Sequence, residues 1–188
     1  MAGRMGHNVA SFGEEVTTTG DATQRYPLGT QRMEESSTVA RGCETFRYIY
    51  QNEATVAAAS GGIAYGGQTL GNPWEVGMDV SDVKGAFAVA VYQSILADTK
   101  YGWGKTRGYE ASLKKRTGTD RNWIKGDFLV SADAASGDGM AEAWVSASTG
   151  ESKVSGDEVH RALERIVAWA ASTALSTTKV GKAYVQLE

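Results

Sequence analysis

The clearest alternation of side chains lies at residues 45–50, TFRYIY. Three aromatic side chains share one side of an extended chain there, and an arginine and an isoleucine share the other, because successive side chains of a strand point to opposite faces. This pattern predicts a half-buried strand. Residues 181–187 alternate in the same way and predict another strand near the end of the sequence.

Residues 85–108 predict the central hairpin of the fold. The run at 85–91 is apolar, and residues 98–100, Asp-Thr-Lys, read as a polar turn. After the turn, Tyr101 and Trp103 alternate with glycines, which places both rings on one face and the glycines on the other. Glycines at this spacing in a strand indicate a close approach of another backbone or a tight barrel bend. We therefore expect a closed or nearly closed β-domain around this hairpin.

Short apolar segments bounded by glycine or polar turns recur along the rest of the chain. They lie at residues 55–59, 63–65, 74–77, 123–124, 127–130 and 141–145. The sequence has 23 glycines and only two prolines, a composition typical of short strands joined by glycine turns. Together these features predict a mainly β protein, a small β-barrel or sandwich-like domain of short antiparallel strands.

The segment 157–175 gives two conflicting signals. Its apolar residues fall on one helical face, and Ser155 or Asp157 could cap a helix. Its Ala-Ser-Thr-rich end contains weak helix formers. A possible single short helix near 157–175 and a strand therefore both remain open.

Residues 1–25 form the predicted extended N-terminal arm, and residues 26–188 form the predicted β-rich domain. The arm has few large apolar side chains, so it cannot bury enough surface to offset its ordering entropy alone. It is either a disordered terminus or an arm that becomes ordered against a neighbouring subunit. In the second case Phe12 and Val16 would anchor it.

Charge and composition narrow the classes of function. The net charge is −3, and nucleic-acid binding usually needs a basic face, so we expect no nucleic-acid partner. No apolar run reaches the ~18 residues needed to span a bilayer, so we expect no membrane segment. The first residues lack the apolar core of a secretory signal, and a single cysteine cannot form an intrachain disulfide. These features indicate a protein made in a cytoplasm.

Candidate chemical motifs in the sequence are incomplete. Residues 104–106, Gly-Lys-Thr, end like a phosphate-binding loop, but Thr99 stands where that loop requires glycine. We therefore predict a strand with an exposed Lys105 there. The two histidines and Cys43 lack the spacing of a metal site or a nucleophile with its base. We therefore predict no catalytic residue, no metal site and no cofactor.

Several elements occur together in an order typical of one family. An aliphatic strand, an acidic turn and a Tyr-Gly-Trp strand occupy residues 89–108. A Lys-Gly-Asp-Phe-Leu segment follows at 125–129, an Ala-Leu-Glu stretch at 162–164 and a terminal Val-Gln-Leu strand at 185–187. This arrangement resembles the small decoration, or cement, proteins on the heads of tailed bacteriophages. It covers roughly residues 26–187 and leaves out the arm.

The resemblance implies a structural virion protein and not an enzyme. Such a protein is assembled in the host cytoplasm, binds the outside of a lattice of major capsid proteins and forms a homo-oligomer, with a trimer favoured. The alternative is a carbohydrate- or receptor-binding β-module on a virion surface, which would need an exposed aromatic side chain such as Tyr101, Trp103 or Trp123. The five tryptophans could equally be core residues.

The basic stretch at residues 105–125 has seven basic and two acidic side chains. It is either a solvated surface or a loop that complements an acidic capsid surface. With the arm anchors and two aromatic residues, it supplies the predicted interface candidates, which are Phe12, Val16, Tyr26, Lys114, Lys115, Arg116, Arg121 and Trp123.

Overall fold

The computed structural model describes residues 20–35, 42–54, 58–67, 72–78, 87–117, 122–131, 139–143, 166–175 and 177–187. This part of the chain contains strands and no helix, as a mainly β prediction requires. None of these residues belongs to a helix with the length and apolar character needed to cross a membrane. The strands are β1 Gln31–Glu35, β2 Cys43–Gln51, β3 Ile63–Gly66, β4 Glu75–Gly77, β5 Phe87–Tyr92, β6 Tyr101–Lys114, β7 Phe128–Ser131, β8 Ala141–Ala143, β9 Ile166–Ala170 and β10 Val180–Gln186.

Five of the strands close into a barrel, which confirms the predicted small β-barrel. Their order is β2-β4-β3-β5-β6, and β6 pairs back with β2. The β2–β4 pairing is parallel, and the other pairings in the barrel are antiparallel. Side chains from four of the strands form the buried cluster of the barrel, which includes Ile49, Ala64, Val76, Ala90, Tyr92 and Leu96.

The predicted hairpin is β5 and β6, and its glycines make room for a close approach of side chains rather than of another backbone. A Cβ on Gly102 would lie 2.7 Å from Leu96 Cδ2, and one on Gly104 would lie 2.5 Å from Ala90 Cβ. Both distances are shorter than any real Cβ contact, so only glycine lets these groups approach β6 closely. Trp103 packs on the other face, where its ring centroid is 5.1 Å from that of Tyr48.

The second half of β6 belongs to a further ring of strands. β10 pairs with β6, β9 with β10, β7 with β9 and β8 with β7. An isolated bridge between Lys115 and Ala141 brings β8 back to the end of β6. We call this arrangement the second ring. Its buried cluster includes Leu113, Trp123, Leu129, Val167, Ala183 and Val185.

The part of the C-terminal segment that the structure describes contains a strand and no helix. Within the possible helix at 157–175, Ile166–Ala170 is β9, and residues 157–165 lie outside the described residues. β9 has a strand on each side, β7 and β10, so both of its backbone edges are hydrogen-bonded. The predicted strand at 181–187 is β10, in which every second side chain is buried.

The last residues of the predicted arm lie against the barrel. Asp21 and Tyr101 exchange two main-chain hydrogen bonds of 2.9 Å each. The preceding residues, including the predicted anchors Phe12 and Val16, lie outside the described residues. The sequence did not indicate β1, which pairs along its whole length with β2.

Candidate functional site

Two of the predicted interface residues are buried and cannot contact a partner. Trp123 is 0% exposed and Lys115 is 1% exposed. The ring of Trp123 fills the space beside Gly181, where a Cβ would lie 2.3 Å from Trp123 Cζ3. The Nζ of Lys115 lies 6.0 Å from the centroid of that ring and donates a hydrogen bond to the carbonyl of Arg116. Both residues stabilise the second ring, so their prediction as surface contacts was wrong.

The first part of the basic stretch, residues 105–114, is not an exposed loop, because β6 continues to Lys114. Lys105, expected to be exposed, is buried. Arg116 is half-buried, and its Nη1 lies 3.3 Å from Glu142 Oε2. Lys114 is also half-buried, and Arg121 lies outside the described residues. The predicted basic patch therefore loses two of its cations to the interior, Lys105 within β6 and Lys115 directly after it.

The last predicted contact residue, Tyr26, is half-buried in an aromatic cluster of its own chain. Its ring centroid lies 5.2 Å from that of Tyr48 and 5.5 Å from that of Trp103. Trp103 is 1% exposed, so like Trp123 it is not available for a ligand. Tyr101 is half-buried and stacks on Tyr48. The aromatic candidates for sugar binding are thus mainly core residues.

A different set of aromatic side chains, two of them exposed, lies on the outer face of the second ring. Phe128 pairs with Trp169, Trp169 with Tyr184, and Tyr184 with Tyr109. Directly paired residues point to the same face of a sheet, so these side chains form one line across β7, β9, β10 and β6. We call it the aromatic row.

The rings of the aromatic row form two contacting pairs, and the row is partly open to solvent, with Tyr109 as its one buried member. The ring centroids of Phe128 and Trp169 are 6.1 Å apart, and those of Tyr109 and Tyr184 are 5.5 Å apart. Phe128 is 41% exposed, Tyr184 is 45% exposed and Trp169 is half-buried. A neighbour on β7, Leu129, is buried in the core. The sheet therefore buries one face and presents aromatic rings on the other.

A second line of paired residues lies beside the aromatic row. Met33 pairs with Thr45, Thr45 with Arg107, and Arg107 with Gln186. We call this line the mixed row, since it combines a thioether, a hydroxyl, a guanidinium and an amide. Arg107 stands two residues before Tyr109 on β6, so the two rows are neighbours on the same face.

A groove of about 400 Å³ lies where the two rows meet. β2 pairs with β6 as far as Arg107, and β10 pairs with β6 from Arg107 onwards, so the groove marks the place where one strand replaces the other. Its lining includes Met33, Cys43, Thr45, Arg107, Trp169, Tyr184 and Gln186.

A buried charge cluster fixes β2 against β6 next to the groove. Lys105 Nζ lies 3.1 Å from Glu44 Oε2 and 3.4 Å from Glu110 Oε2, and it donates a 2.6 Å hydrogen bond to the carbonyl of Tyr109. Glu110 also accepts hydrogen bonds from Gln93 Nε2 and from the main chain of Ser112. The carboxylates of Glu44 and Glu110 are therefore occupied by Lys105.

Arg107 is the charged side chain that remains available at the groove. It is exposed, and among the residues described it has no ion-pair partner. The described residues also include no group of three or more acidic, histidine or cysteine side chains that could hold a metal ion. The groove and rows offer ring faces for stacking, hydrogen-bonding groups and one cation, which are the means of binding a partner.

The fold and this surface define a β-barrel protein with an exposed aromatic sheet face. Comparison of the chain with protein-family models, curated proteins and solved structures found no match. Sequence reasoning missed the aromatic row because its members come from four separate strands. Only Tyr184 stood in a confidently predicted alternating strand, where it was placed opposite Val185.

Proposed function

We propose that the chain is a structural virion protein that binds the outer surface of a bacteriophage capsid lattice and reinforces contacts between major capsid protein subunits. The resemblance of residues 26–187 to capsid decoration proteins supports this function, and a mainly β barrel suits it. The exposed aromatic row carries the proposal, because it supplies a surface suited to a protein partner.

The side chains on the two rows are those that protein interfaces favour. Interface cores are enriched in Tyr, Trp, Phe, Met and Arg and depleted in Lys, Glu and Asp. All five favoured types are present, since the aromatic row adjoins Met33 and Arg107 of the mixed row. Trp, Tyr and Arg are also the commonest residues to dominate binding energy. We therefore assign the capsid contact to this face.

The physical benefit of such a protein lies in repetition. An interface of ~800 Å² per partner, repeated over a lattice, links neighbouring capsid subunits many times. A closed ring of copies, with a trimer favoured, attaches through several contacts at once and gains affinity by multivalency. The protein then resides on the capsid exterior and acts without a catalytic step, a metal or a cofactor.

Co-sedimentation with purified phage heads that lack this chain tests the function. The wild-type protein should pellet with the heads at a saturating, simple ratio to the major capsid protein. Replacing Trp169 or Tyr184 by Ala should weaken binding by about 30-fold, since truncation of a dominant interface residue costs ~2 kcal/mol or more. Phe87 is a matched control, because it is an aromatic residue, 52% exposed, outside both rows.

The control variant Phe87→Ala should bind as the wild type does. The Tm of each variant should be measured, so that binding is compared only among variants that are folded at the assay temperature. Wild-type protein that stays in the supernatant with every head preparation would contradict the function. Unchanged binding of Trp169→Ala and Tyr184→Ala would instead contradict the assignment of the contact to the aromatic row.

A second candidate function is a carbohydrate- or receptor-binding module on a virion surface. The observation that favours it is the groove, where Trp169 and Tyr184 stand beside the hydrogen-bonding side chains of Arg107 and Gln186. A glycan array followed by a tryptophan fluorescence titration distinguishes the two. Saturable binding of a sugar, with a fluorescence change that is lost in Trp169→Phe, would favour this candidate; capsid reinforcement predicts no sugar response.

A further inference from the structure

We propose that the groove takes an acidic segment of the lattice protein, with a carboxylate held by Arg107 and an adjoining apolar side chain packed on Trp169 and Tyr184. This inference rests on the proposed capsid-binding function and names the chemistry of the partner at that surface. Its basis is the combination of charge, ring exposure and shape where the two rows meet.

The charge of the groove selects a negatively charged partner. Arg107 is its one charged lining side chain. The neighbouring carboxylates of Glu44 and Glu110 are bound to Lys105, so they do not neutralise Arg107. A guanidinium offers two parallel N–H groups that match the two oxygens of a carboxylate. An Asp or Glu side chain is thus the partner group that this position fits.

The apolar lining of the groove favours an apolar side chain next to the carboxylate in the partner segment. Trp169 and Tyr184 form one wall of the groove, and Met33 stands on the other side of Arg107 along the mixed row. Aromatic rings and a flexible thioether accept varied apolar side chains. The volume of about 400 Å³ is near the lower end for ligand pockets, so it suits a few side chains of a chain segment and not a folded surface.

The floor of the groove is held in a fixed conformation. Gly108 has a φ of +118°, which only glycine adopts readily, and a Cβ there would lie 2.9 Å from Glu44 Cγ. Glu44 is in turn bound to Lys105. Packing and an ion pair therefore fix the backbone at Arg107 before any partner binds. This lowers the conformational entropy that is lost when a segment binds.

The experiment measures binding to purified heads that lack this chain, at about 50 mM and about 500 mM salt, where screening differs strongly. Arg107→Gln should weaken binding about 10- to 100-fold at low salt, as expected for loss of a charge-assisted hydrogen bond, and should reduce the salt dependence. Arg107→Lys should recover part of the affinity, because it restores the charge without the paired N–H groups. Lys125→Gln is the matched control, since Lys125 is an exposed cation outside the groove lining.

The outcomes separate this inference from the function on which it rests. Wild-type binding together with an Arg107→Gln variant of unchanged affinity and salt dependence overturns the inference and leaves capsid binding intact. Equal losses in Arg107→Gln and Lys125→Gln also overturn it, because they indicate general charge attraction. Competition by a neutral sugar at the groove overturns it in favour of carbohydrate. Failure of wild-type protein to bind any heads defeats the function and the inference together.

Discussion

Adding a single methyl group to Gly104 tests how the barrel closes. The Cβ of Gly104→Ala would lie 2.5 Å from Ala90 Cβ, 3.1 Å from Ile49 Cδ1 and 3.7 Å from the carbonyl oxygen of Val91. The tip of Ile49 can rotate away, but the methyl of Ala90 is fixed to its own backbone. The strands β5 and β6 must therefore separate, and their hydrogen bonds must lengthen.

The expected cost follows from these distances. Non-bonded carbons prefer ~3.5–4.0 Å, so the backbones must shift by about 1 Å against a normal strand spacing of ~4.8 Å. Overpacking of this kind costs ~1–3 kcal/mol, and removal of a flexible glycine returns ~0.5–1 kcal/mol. A net loss of about 1–2 kcal/mol corresponds to a fall in Tm of about 2–8 °C for a chain of this size.

A double-mutant cycle measured by urea unfolding is the decisive assay. Ala90→Gly alone should cost about 1.5 kcal/mol, from one lost methyl and one added glycine. The double variant moves the methyl from one wall to the other and keeps the number of glycines, so it should be about as stable as the wild type, with a coupling energy of about 3 kcal/mol. A Gly104→Ala variant as stable as the wild type would refute the packing argument. So would a double variant whose loss of unfolding free energy equals the sum of the two single losses.

Two further predictions concern buried polar groups. Lys105→Met should lower the free energy of unfolding in urea by about 3–5 kcal/mol, because it leaves Glu44 and Glu110 without their cation. A variant as stable as the wild type would show that these ion pairs do not stabilise the fold. Burial raises the pKa of Tyr92 well above 10.0. Its contribution to the free energy of unfolding is therefore fully present below about pH 10 and is lost above it, because this tyrosine ionises first in the unfolded chain. Tyr92→Phe loses the hydrogen bond to Gln51 and should show a smaller fall between pH 9 and 11; an equal fall would exclude Tyr92 as its source.

Features that depend on residues adjacent in the chain could be predicted. The alternation at 45–50 indicated β2, and the structure buries Phe46 and Tyr48 on one face and Ile49 on the other. The glycines beside Trp103 indicated a close approach, which Gly104 and Ala90 provide. These signals hold because the two-residue period of a strand is set locally.

Features that depend on strand pairing could not be predicted. The sequence predicts an exposed Lys105, yet its side chain is bound to Glu44 of the neighbouring strand β2 and to Glu110 of β6 itself. It also offers Trp123 as a candidate exposed aromatic residue, although Gly181 leaves space for the ring in the interior. A sequence shows the face on which a side chain stands but not the strand that faces it.

β1 and the aromatic row illustrate the same limit in different ways. The residues of β1, Gln-Arg-Met-Glu-Glu, show no apolar alternation, since an edge strand with little buried area is held by main-chain hydrogen bonds to β2. The aromatic row becomes a surface only through the register of four strands. The candidate site therefore emerged from pairing, and the predicted contacts that the structure describes are partly or fully buried in the chain's own packing.

β6 also decides how the molecule can be divided. Its first half completes the barrel through β2 and β5, and its second half supports the second ring through β10. Any cut that separates the rings leaves one of them with a missing strand and exposed main-chain donors and acceptors. A cut after β6 leaves the barrel with all five of its strands, but the second ring cannot form without β6. A partner bound on the outer face of the second ring is therefore joined to the barrel through the continuous backbone of β6.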